Sequence, residues 1–369
     1  MIYFSLPNDQ TEERAIGHLD EADPPADQLA QALAEGQTSY QDISRALSGR
    51  RPATQVLKAF IDTVYQPPPQ GVSERQLHRG AALFQRYGFL SNLGLALYGL
   101  PLAYLSPAGV KPLVFSGRLL EQAPRRLAET NRFLFEVCRP GGLRAGARGA
   151  VAIAHVRLMH AVMRARLLAD PSWESAWRMP INQLHLASTR LVFSLHGITA
   201  LEQLGARPDE EEVEDYLALW DWIGLRLGCC DALRTPSRAS AETLWAMIRR
   251  VEGPCSDEGI ALTKALLESA IPHMLGSLSP LSLERVSFIA QLRALSAWLL
   301  GAEDAAALSL PWRADPPALG VLISTVLRGA DRVAARGPWE RAALSAFGAL
   351  INGELATRAL GGTRAVFRV

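Results

Sequence analysis

Hydrophobic residues recur at steps of three and four along most of this chain, which is the repeat of the buried face of an α-helix. In the stretch 150–168, the residues on this face are Ile153, Val156, His160, Met163 and Leu167. In the stretch 118–137, they are Leu120, Ala123, Leu127, Thr130, Leu134 and Val137. No run of alternating β-branched residues indicates a strand. The pattern therefore predicts an all-α fold.

A proline-rich run at residues 66–71, QPPPQG, interrupts the helical pattern. Proline lacks the backbone N–H that a helix uses, and it disfavours helical geometry in the residue before it. We therefore place a boundary here, between an N-terminal helical segment, residues 1–66, and a main all-helical domain, residues 72–369. We expect the N-terminal segment to pack on the core of the main domain.

One uncharged stretch, residues 87–110, approaches the length needed to cross a bilayer. It contains Asn92, Pro101, Pro107 and four glycines, which disfavour a continuous apolar helix. This composition favours a buried helix that ends near Pro101, with a loop after it. We expect no stable membrane span.

The composition argues against several classes of protein. Lysine and arginine total 38, aspartate and glutamate total 37, and no basic stretch is interleaved with aromatic residues, so no nucleic-acid partner is expected. The four cysteines show no C-x-x-C spacing, which favours a reducing cytoplasm. The same absence excludes a haem that is attached through thioether bonds. The N-terminal residues lack the basic and apolar regions of a secretory signal. The sequence thus predicts a cytoplasmic protein.

His160 stands out because an arginine lies on either side of it along the same helical face. Arg157 and Arg164 are at i−3 and i+4, so the three side chains converge. A buried imidazole needs a partner, and two guanidiniums need anions. A ligand that carries both a metal and carboxylates, such as haem, satisfies the whole group. The alternative is a core histidine, whose neighbouring arginines then need protein carboxylates that no nearby sequence supplies.

The 118–137 helix carries a second candidate group. Thr130 points inward with the leucines, and Arg126 lies four residues earlier on the adjoining face, so a hydroxyl and a guanidinium can approach one cavity. Bound oxygen in a haem pocket would give both groups a partner. The alternative is an Arg126 that reaches solvent along its aliphatic stem and a Thr130 bonded to its own helix.

Two further features carry less chemistry. The Gly-rich stretch 140–150, PGGLRAGARGA, has no strand before it and lacks the G-x-G-x-x-G spacing, so we interpret it as a connecting loop near the ligand entrance. His185 and His196 share a face of a helix predicted over residues 183–204 that is not the leucine-rich face. We interpret both histidines as surface or interface residues.

The order of these motifs resembles that of a known family. Arg126-x-x-Glu129-Thr130 is followed by Arg157-x-x-His160-x-x-x-Arg164, then by Pro180-Ile181-Asn182-Gln183, Leu204-Gly205, Tyr216, Trp220 and Gly224. Their order and separations, over roughly residues 80–235, resemble those of the latex clearing protein and MpaB-type oxygenase family. The resemblance implies a globin-like helical core, with additional N- and C-terminal helices, that holds a non-covalent b-type haem.

The resemblance also implies a role for each residue of the motifs. His160 corresponds to the family's proximal iron ligand. Arg157 and Arg164 correspond to the arginines that accompany it near the haem, where they neutralise the propionates. Arg126 and Thr130 correspond to the distal polar pair, which borders the site where molecular oxygen meets an alkene.

One position departs from the family's pattern. Rubber-cleaving members carry, just before the distal threonine, a lysine that can occupy the sixth position on the iron, and this chain has Glu129 there. A carboxylate does not bind iron in the same way as a lysine. Rubber is therefore not the favoured substrate, and Glu129 becomes a candidate proton carrier.

The sequence predicts a b-type haem-dependent oxygenase, or a related oxidoreductase, that acts with molecular oxygen on a small apolar, unsaturated organic substrate. His160 is its metal ligand, and Arg126, Thr130 and Glu129 are its candidate catalytic groups. One alternative is a haem-binding sensor or carrier without catalysis on the same scaffold. Another is a haem-free helical interaction protein in which His160 belongs to the core.

Overall fold

The computed structural model describes residues 13, 15–115, 119–276 and 285–358, and these residues form helices and no β-strand. The all-α fold that the sequence predicts is confirmed. The prediction that no secretory signal is present concerns N-terminal residues that lie almost entirely outside the described part of the chain. The last eleven residues of the predicted main domain also lie outside it.

The first half of the chain contains short helices followed by two long ones. They are α1 (Pro24–Ala34), α2 (Tyr40–Leu47), α3 (Gln55–Val64), α4 (Glu74–Tyr87), α5 (Phe89–Gly94), α6 (Leu100–Tyr104), α7 (Pro107–Val114), α8 (Leu119–Val137) and α9 (Arg148–Ala169). A π-helical turn, Leu95–Gly99, joins α5 to α6. The long helices α8 and α9 carry the two stripes that the sequence predicts, and they pack against each other.

The second half continues in the same way. Its helices are α10 (Gln183–Phe193), α11 (Leu195–Gln203), α12 (Glu210–Arg226), α13 (Arg238–Val251), α14 (Asp257–Ala265), α15 (Ile271–Gly276), α16 (Arg285–Leu300), α17 (Ala302–Ala307), α18 (Ala318–Ala334) and α19 (Pro338–Arg358). A second π-helical turn, Leu266–Ala270, joins α14 to α15.

The main hydrophobic core lies where α4 packs against α12 and α19. Tyr216 and Trp220 of α12 are almost completely buried there, and Trp220 stacks on Phe193 with ring centroids 5.3 Å apart. Burying an aromatic side chain of this size stabilises a fold by about 1.5–3 kcal/mol. Residues near α12 are therefore held in a rigid frame.

The N-terminal helices α1, α2 and α3 form a second core with the helix that carries His160. Ala154, Leu158 and Ala161 of α9 are buried against Leu29 of α1 and Phe60 of α3. Ile153 of the same helix belongs to the main core instead. Helix α9 is therefore buried on two faces, between the N-terminal helices and the main domain.

The helical pattern in the uncharged stretch differs from the prediction that a helix ends near Pro101. The helix continues to Tyr104. A π-helical turn directly precedes the proline, and in this turn the Leu100 N–H donates to the Leu95 carbonyl, five residues earlier. Pro101 has no N–H for the Leu97 carbonyl, which accepts a hydrogen bond from Ser296 Oγ at 2.7 Å instead. The helix thus accommodates Pro101, and the Leu97 carbonyl still has a hydrogen-bond donor.

Within the described residues, no single helix is both long and apolar enough to cross a membrane. The segment Phe89–Tyr104 together with α7 meets the requirement in length and composition, but the two parts are bent by 106° relative to each other.

Candidate functional site

Helix α9 places His160 in the middle of its inward stripe. Gly149 near the start of the helix lets α9 approach α8 closely, because a Cβ atom there would lie 2.4 Å from the Glu136 carbonyl oxygen. Ile153 and Leu167 at the two ends of the stripe are fully buried, whereas Val156, His160 and Met163 between them are half-buried. The centre of the stripe is therefore less completely packed than its ends.

The imidazole of His160 has no hydrogen-bond partner among the residues that the structure describes. Its Nδ1 atom is buried without a hydrogen bond, and no hydrogen bond to Nε2 is found among the described residues. Burial, and next the positive charge of Arg164, lowers the pKa of His160 to about 4. The ring is therefore neutral at pH 7, which leaves one nitrogen lone pair free to bind a metal.

Arg157 is engaged by protein groups. Its Nε and Nη2 atoms donate to the two carboxylate oxygens of Asp23 at 2.6 and 2.7 Å, and its Nη1 atom donates to Thr63 Oγ1 at 2.8 Å. Arg157 and Asp23 are both nearly inaccessible to solvent. This is a buried bidentate ion pair, which is the strong geometry for arginine and carboxylate.

Arg164 is engaged in the same way. Its Nη1 atom donates to an Asp27 carboxylate oxygen, and its Nε and Nη2 atoms donate to the carbonyls of Pro180 and Ile181 at 3.0 and 2.8 Å. The expectation that Arg157 and Arg164 pair with the carboxylates of a ligand is therefore corrected, because both arginines pair with carboxylates of the protein. Their anions come from the N-terminal segment, 134 and 137 residues away along the chain.

Arg126 on α8 contrasts with these two arginines. It is half-buried, and it forms no hydrogen bond or ion pair with any described residue. Burial lowers its pKa, although the fields of Tyr104 and Glu129 oppose that shift. The charge of Arg126 also contributes to the lowered pKa of His160. Helices α8 and α9 thus bring an unpaired guanidinium within electrostatic range of an unpaired imidazole.

Thr130 also has a free hydroxyl. Thr189 and Thr199 each bond to the carbonyl four residues earlier in their own helices, at 2.9 Å. Thr130 Oγ1 shows no such bond in the described part of the chain, and its side chain is half-buried. The alternative in which Thr130 is bonded to its own helix is therefore not observed.

Comparison with known proteins identifies the family. A family model described as "ER-bound oxygenase mpaB/B'/Rubber oxygenase, catalytic domain" matches residues 85–336, more than half of the chain. The chain belongs to this family. The resemblance predicted from the motifs is confirmed, the match extends well beyond residue 235, and the protein is an oxygenase.

A solved structure supports the fold. It is described as "Structure of Latex Clearing Protein LCP in the closed state", and it is similar to this chain with a TM-score of 0.60. The two chains are 21% identical, and the similarity covers 90% of this chain and 91% of that one. At this identity the likeness shows a shared helical fold alone. No curated protein matches the chain.

Glu129 lies on the outer side of α8 in this oxygenase. Its side chain is 40% exposed and accepts a hydrogen bond from Nε of Arg125, itself 70% exposed, at 2.9 Å. Glu129 is one residue out of phase with the inward stripe, and the i,i+4 pair with Arg125 favours the outward orientation. The structure thus does not bring Glu129 together with His160, and we do not retain it as a catalytic group.

Tyr104 is a site residue that the sequence did not reveal. The tyrosine is half-buried beside Arg126, close enough for their charges to interact, and burial raises its pKa to about 12. No hydrogen bond to its hydroxyl is found within the described residues. The hydroxyl therefore stays protonated and can donate. Tyr104 is one of three tyrosines in the uncharged stretch 87–110, and no local pattern distinguishes it from the other two.

His185 and His196 are buried, so the prediction that they lie at the surface is wrong. His185 Nε2 lies 3.3 Å from the Glu252 carboxylate, and His196 packs between Tyr98 and Trp245. The predicted single helix is broken at Ser194, which has φ −94° and ψ −82°. The break turns α11 relative to α10, and neighbouring helices cover the faces that a straight helix would expose.

We predict that Asp23→Ala lowers the free energy of unfolding by about 3–5 kcal/mol, because it leaves the buried guanidinium of Arg157 without its anion. Urea denaturation measures this change. The control is Asp62→Ala, which removes an exposed pair with Lys58 and should cost less than about 1 kcal/mol. Equal costs for the two variants would show that the buried pair does not stabilise the fold.

A second prediction concerns pH and uses protein free of hemin. The pKa of His160 is about 4 in the folded chain against the usual 6.5, so the unfolded chain binds more protons in this range. Stability therefore decreases as the pH falls below about 6.5, and this component disappears in His160→Leu. We expect the stability of the parent to fall by roughly 1–3 kcal/mol more than that of the variant between pH 7 and pH 4. Parallel curves would contradict a desolvated imidazole.

Proposed function

We propose that this protein is a b-type haem-dependent oxygenase that acts with molecular oxygen on a small apolar, unsaturated organic substrate. The observation that carries the proposal is the juxtaposition of His160 with Arg126. Among the described residues, the neutral imidazole has no hydrogen-bond partner and the guanidinium forms no ion pair, and the two groups lie within electrostatic range of each other. Unpaired polar groups in such a place cost stability unless a ligand completes them.

The surroundings of His160 favour haem over a metal held by protein side chains alone. A non-haem metal site needs three or more clustered ligands. Among the described residues, the cluster with such spacing consists of His18, Glu21 and Cys230, and it does not include His160. An isolated neutral imidazole suits a metal whose remaining ligands come from a macrocycle.

The residues of the site divide into those that bind and those that assist the reaction. His160 would hold the iron through its neutral imidazole. When bound, haem supplies the metal centre at which molecular oxygen is activated. Arg157 and Arg164 fix α9 to the N-terminal segment, so they position His160 rather than contact the propionates.

Arg126, Thr130 and Tyr104 supply donors on the other side of the site. The guanidinium of Arg126 would offer a positive charge and N–H groups to negative charge that develops on the oxygen atoms of the reactants. The hydroxyls of Thr130 and Tyr104 add donors that remain protonated at neutral pH. Because these donors are partly desolvated, they would stabilise charge more strongly than water does.

The apolar substrate is supported by the walls of the site. Val156 and Met163 flank His160 along the stripe, and both are half-buried. Apolar side chains that remain accessible inside a fold bind apolar ligands, whereas the polar groups orient them. A catalytic role, as against a haem sensor or carrier, is favoured by the oxygenase family to which the chain belongs.

The first test is the absorption spectrum of purified protein reconstituted with hemin. We expect a haem band in the parent and its loss or shift in His160→Ala, because the imidazole is the iron ligand. The matched control is His155→Ala, which removes another half-buried histidine of α9 and should keep the parent spectrum. A parent that stays colourless, or a His160→Ala variant that matches the parent, would contradict the proposal.

The second test measures oxygen consumption with a panel of small alkenes. We expect Arg126→Met to keep the haem band but lose about 10²-fold in turnover, which is the usual effect of removing one oriented donor. Its control is Arg125→Met, one residue away but exposed, which should behave as the parent. Tight haem binding without turnover on any alkene would favour the carrier alternative.

A further inference from the structure

A cleft of about 210 Å³ lies away from His160, where two segments of irregular backbone meet. One is the proline-rich run after α3, and the other is the Gly-rich loop that leads into α9. Residues of α4 and α12 close the remaining sides. His160 is twelve residues into α9 from Arg148, roughly 18 Å along the helix axis. The cleft is therefore separate from the proposed haem site.

Arg226 forms part of the cleft wall, and its charge has no carboxylate partner. Its Nε atom donates to the Val64 carbonyl and its Nη1 atom donates to the Leu143 carbonyl at 2.5 Å. The guanidinium lies over the rings of Trp222 and Tyr65, at 5.0 and 5.7 Å from their centroids. No ion pair of Arg226 is present in the described part of the chain, although only 1% of the residue is exposed.

Other arginines show how unusual this is. Those with similar burial each pair with a carboxylate: Arg86 with Glu212, Arg157 with Asp23, Arg164 with Asp27 and Arg190 with Asp221. Burial lowers the pKa of Arg226 to about 10, so it still carries its charge at neutral pH. A buried charge costs several kcal/mol when no counter-ion accompanies it. Carbonyl dipoles and ring faces offset only part of that cost.

The rest of the cleft attracts an anion with an apolar body. Arg144 adds positive charge to the lining, whereas Arg139 there pairs with Glu136 at 3.4 Å, and the lining contains one acidic residue, Glu74. The walls also carry Pro67, Pro68, Leu77 and Val137 together with the two aromatic rings. An inorganic anion would leave these apolar walls unfilled, and a neutral hydrocarbon would leave the guanidinium unpaired.

We propose that this cleft binds a small organic carboxylate with a flat apolar or aromatic body, whose carboxylate pairs with Arg226 and whose ring packs beside Trp222 and Tyr65. The volume is below the range of about 300–1,000 Å³ that holds drug-sized ligands, which fits an acid with a single ring. The inference does not depend on haem or on the substrate of the oxygenase.

The test uses 4-fluorobenzoate as the probe and follows its fluorine NMR signal with the full-length chain. We expect binding with a Kd below about 1 mM to the parent and at least tenfold weaker binding to Arg226→Met. The neutral analogue 4-fluorobenzamide should bind at least tenfold more weakly than the acid. Inorganic phosphate should not displace the acid at equal concentration, because it cannot fill the apolar walls.

A second variant keeps the test decisive if Arg226→Met does not fold. Arg144→Ala removes an exposed charge from the lining of the cleft and should weaken binding several-fold. The control is Arg336→Ala, which removes an exposed arginine outside the cleft lining and should leave binding unchanged. No binding to the parent, or equal binding of acid and amide, would overturn the proposal. The proposal would also be overturned if Arg126→Met lost binding while Arg226→Met and Arg144→Ala bound the acid as the parent does. That result would place the acid at Arg126.

Discussion

The fold around His160 depends on two carboxylates of the N-terminal segment. Asp23 and Asp27 neutralise Arg157 and Arg164, which flank the histidine on α9. Without them, one helix face would bury two uncompensated positive charges beside an imidazole, at a cost of several kcal/mol for each charge. Helices α1–α3 therefore help to position the helix that carries His160.

Because Arg157 and Arg164 are paired with protein carboxylates, the arginines that form no ion pair among the described residues indicate where a ligand could bind. Once Arg157 and Arg164 have protein anions, Arg126 is left as the unpaired guanidinium in electrostatic range of His160. Burial lowers the pKa of both Arg126 and Arg226, and neither forms an ion pair among the described residues. The other described arginines that are buried as deeply as Arg226 have carboxylate partners, and for this reason both proposals place a ligand or reactant beside Arg126 or Arg226.

Local periodicity was sufficient to predict the helices α8 and α9, because a helical pattern depends on residues three or four apart. It was insufficient for the partners of Arg157 and Arg164, since those carboxylates lie more than 130 residues away in sequence. It also failed where a helix departs from a straight cylinder. The break at Ser194 buries His196, and the π-helical turn before Pro101 lets the helix continue to Tyr104.

Arg157 also determines where the functional unit begins. The family match starts at residue 85, yet the guanidinium of Arg157 binds Asp23 and Thr63 from the N-terminal helices and donates to the Arg226 carbonyl of α12 at 3.3 Å. One side chain thus joins the N-terminal segment, the helix of the proposed iron ligand and the residue that closes the second cleft. A chain that started after the proline-rich run would lose the carboxylate and the hydroxyl that bind this guanidinium, together with the helices that cover this side of α9. The orientation of His160 therefore rests on residues that precede the family's catalytic domain.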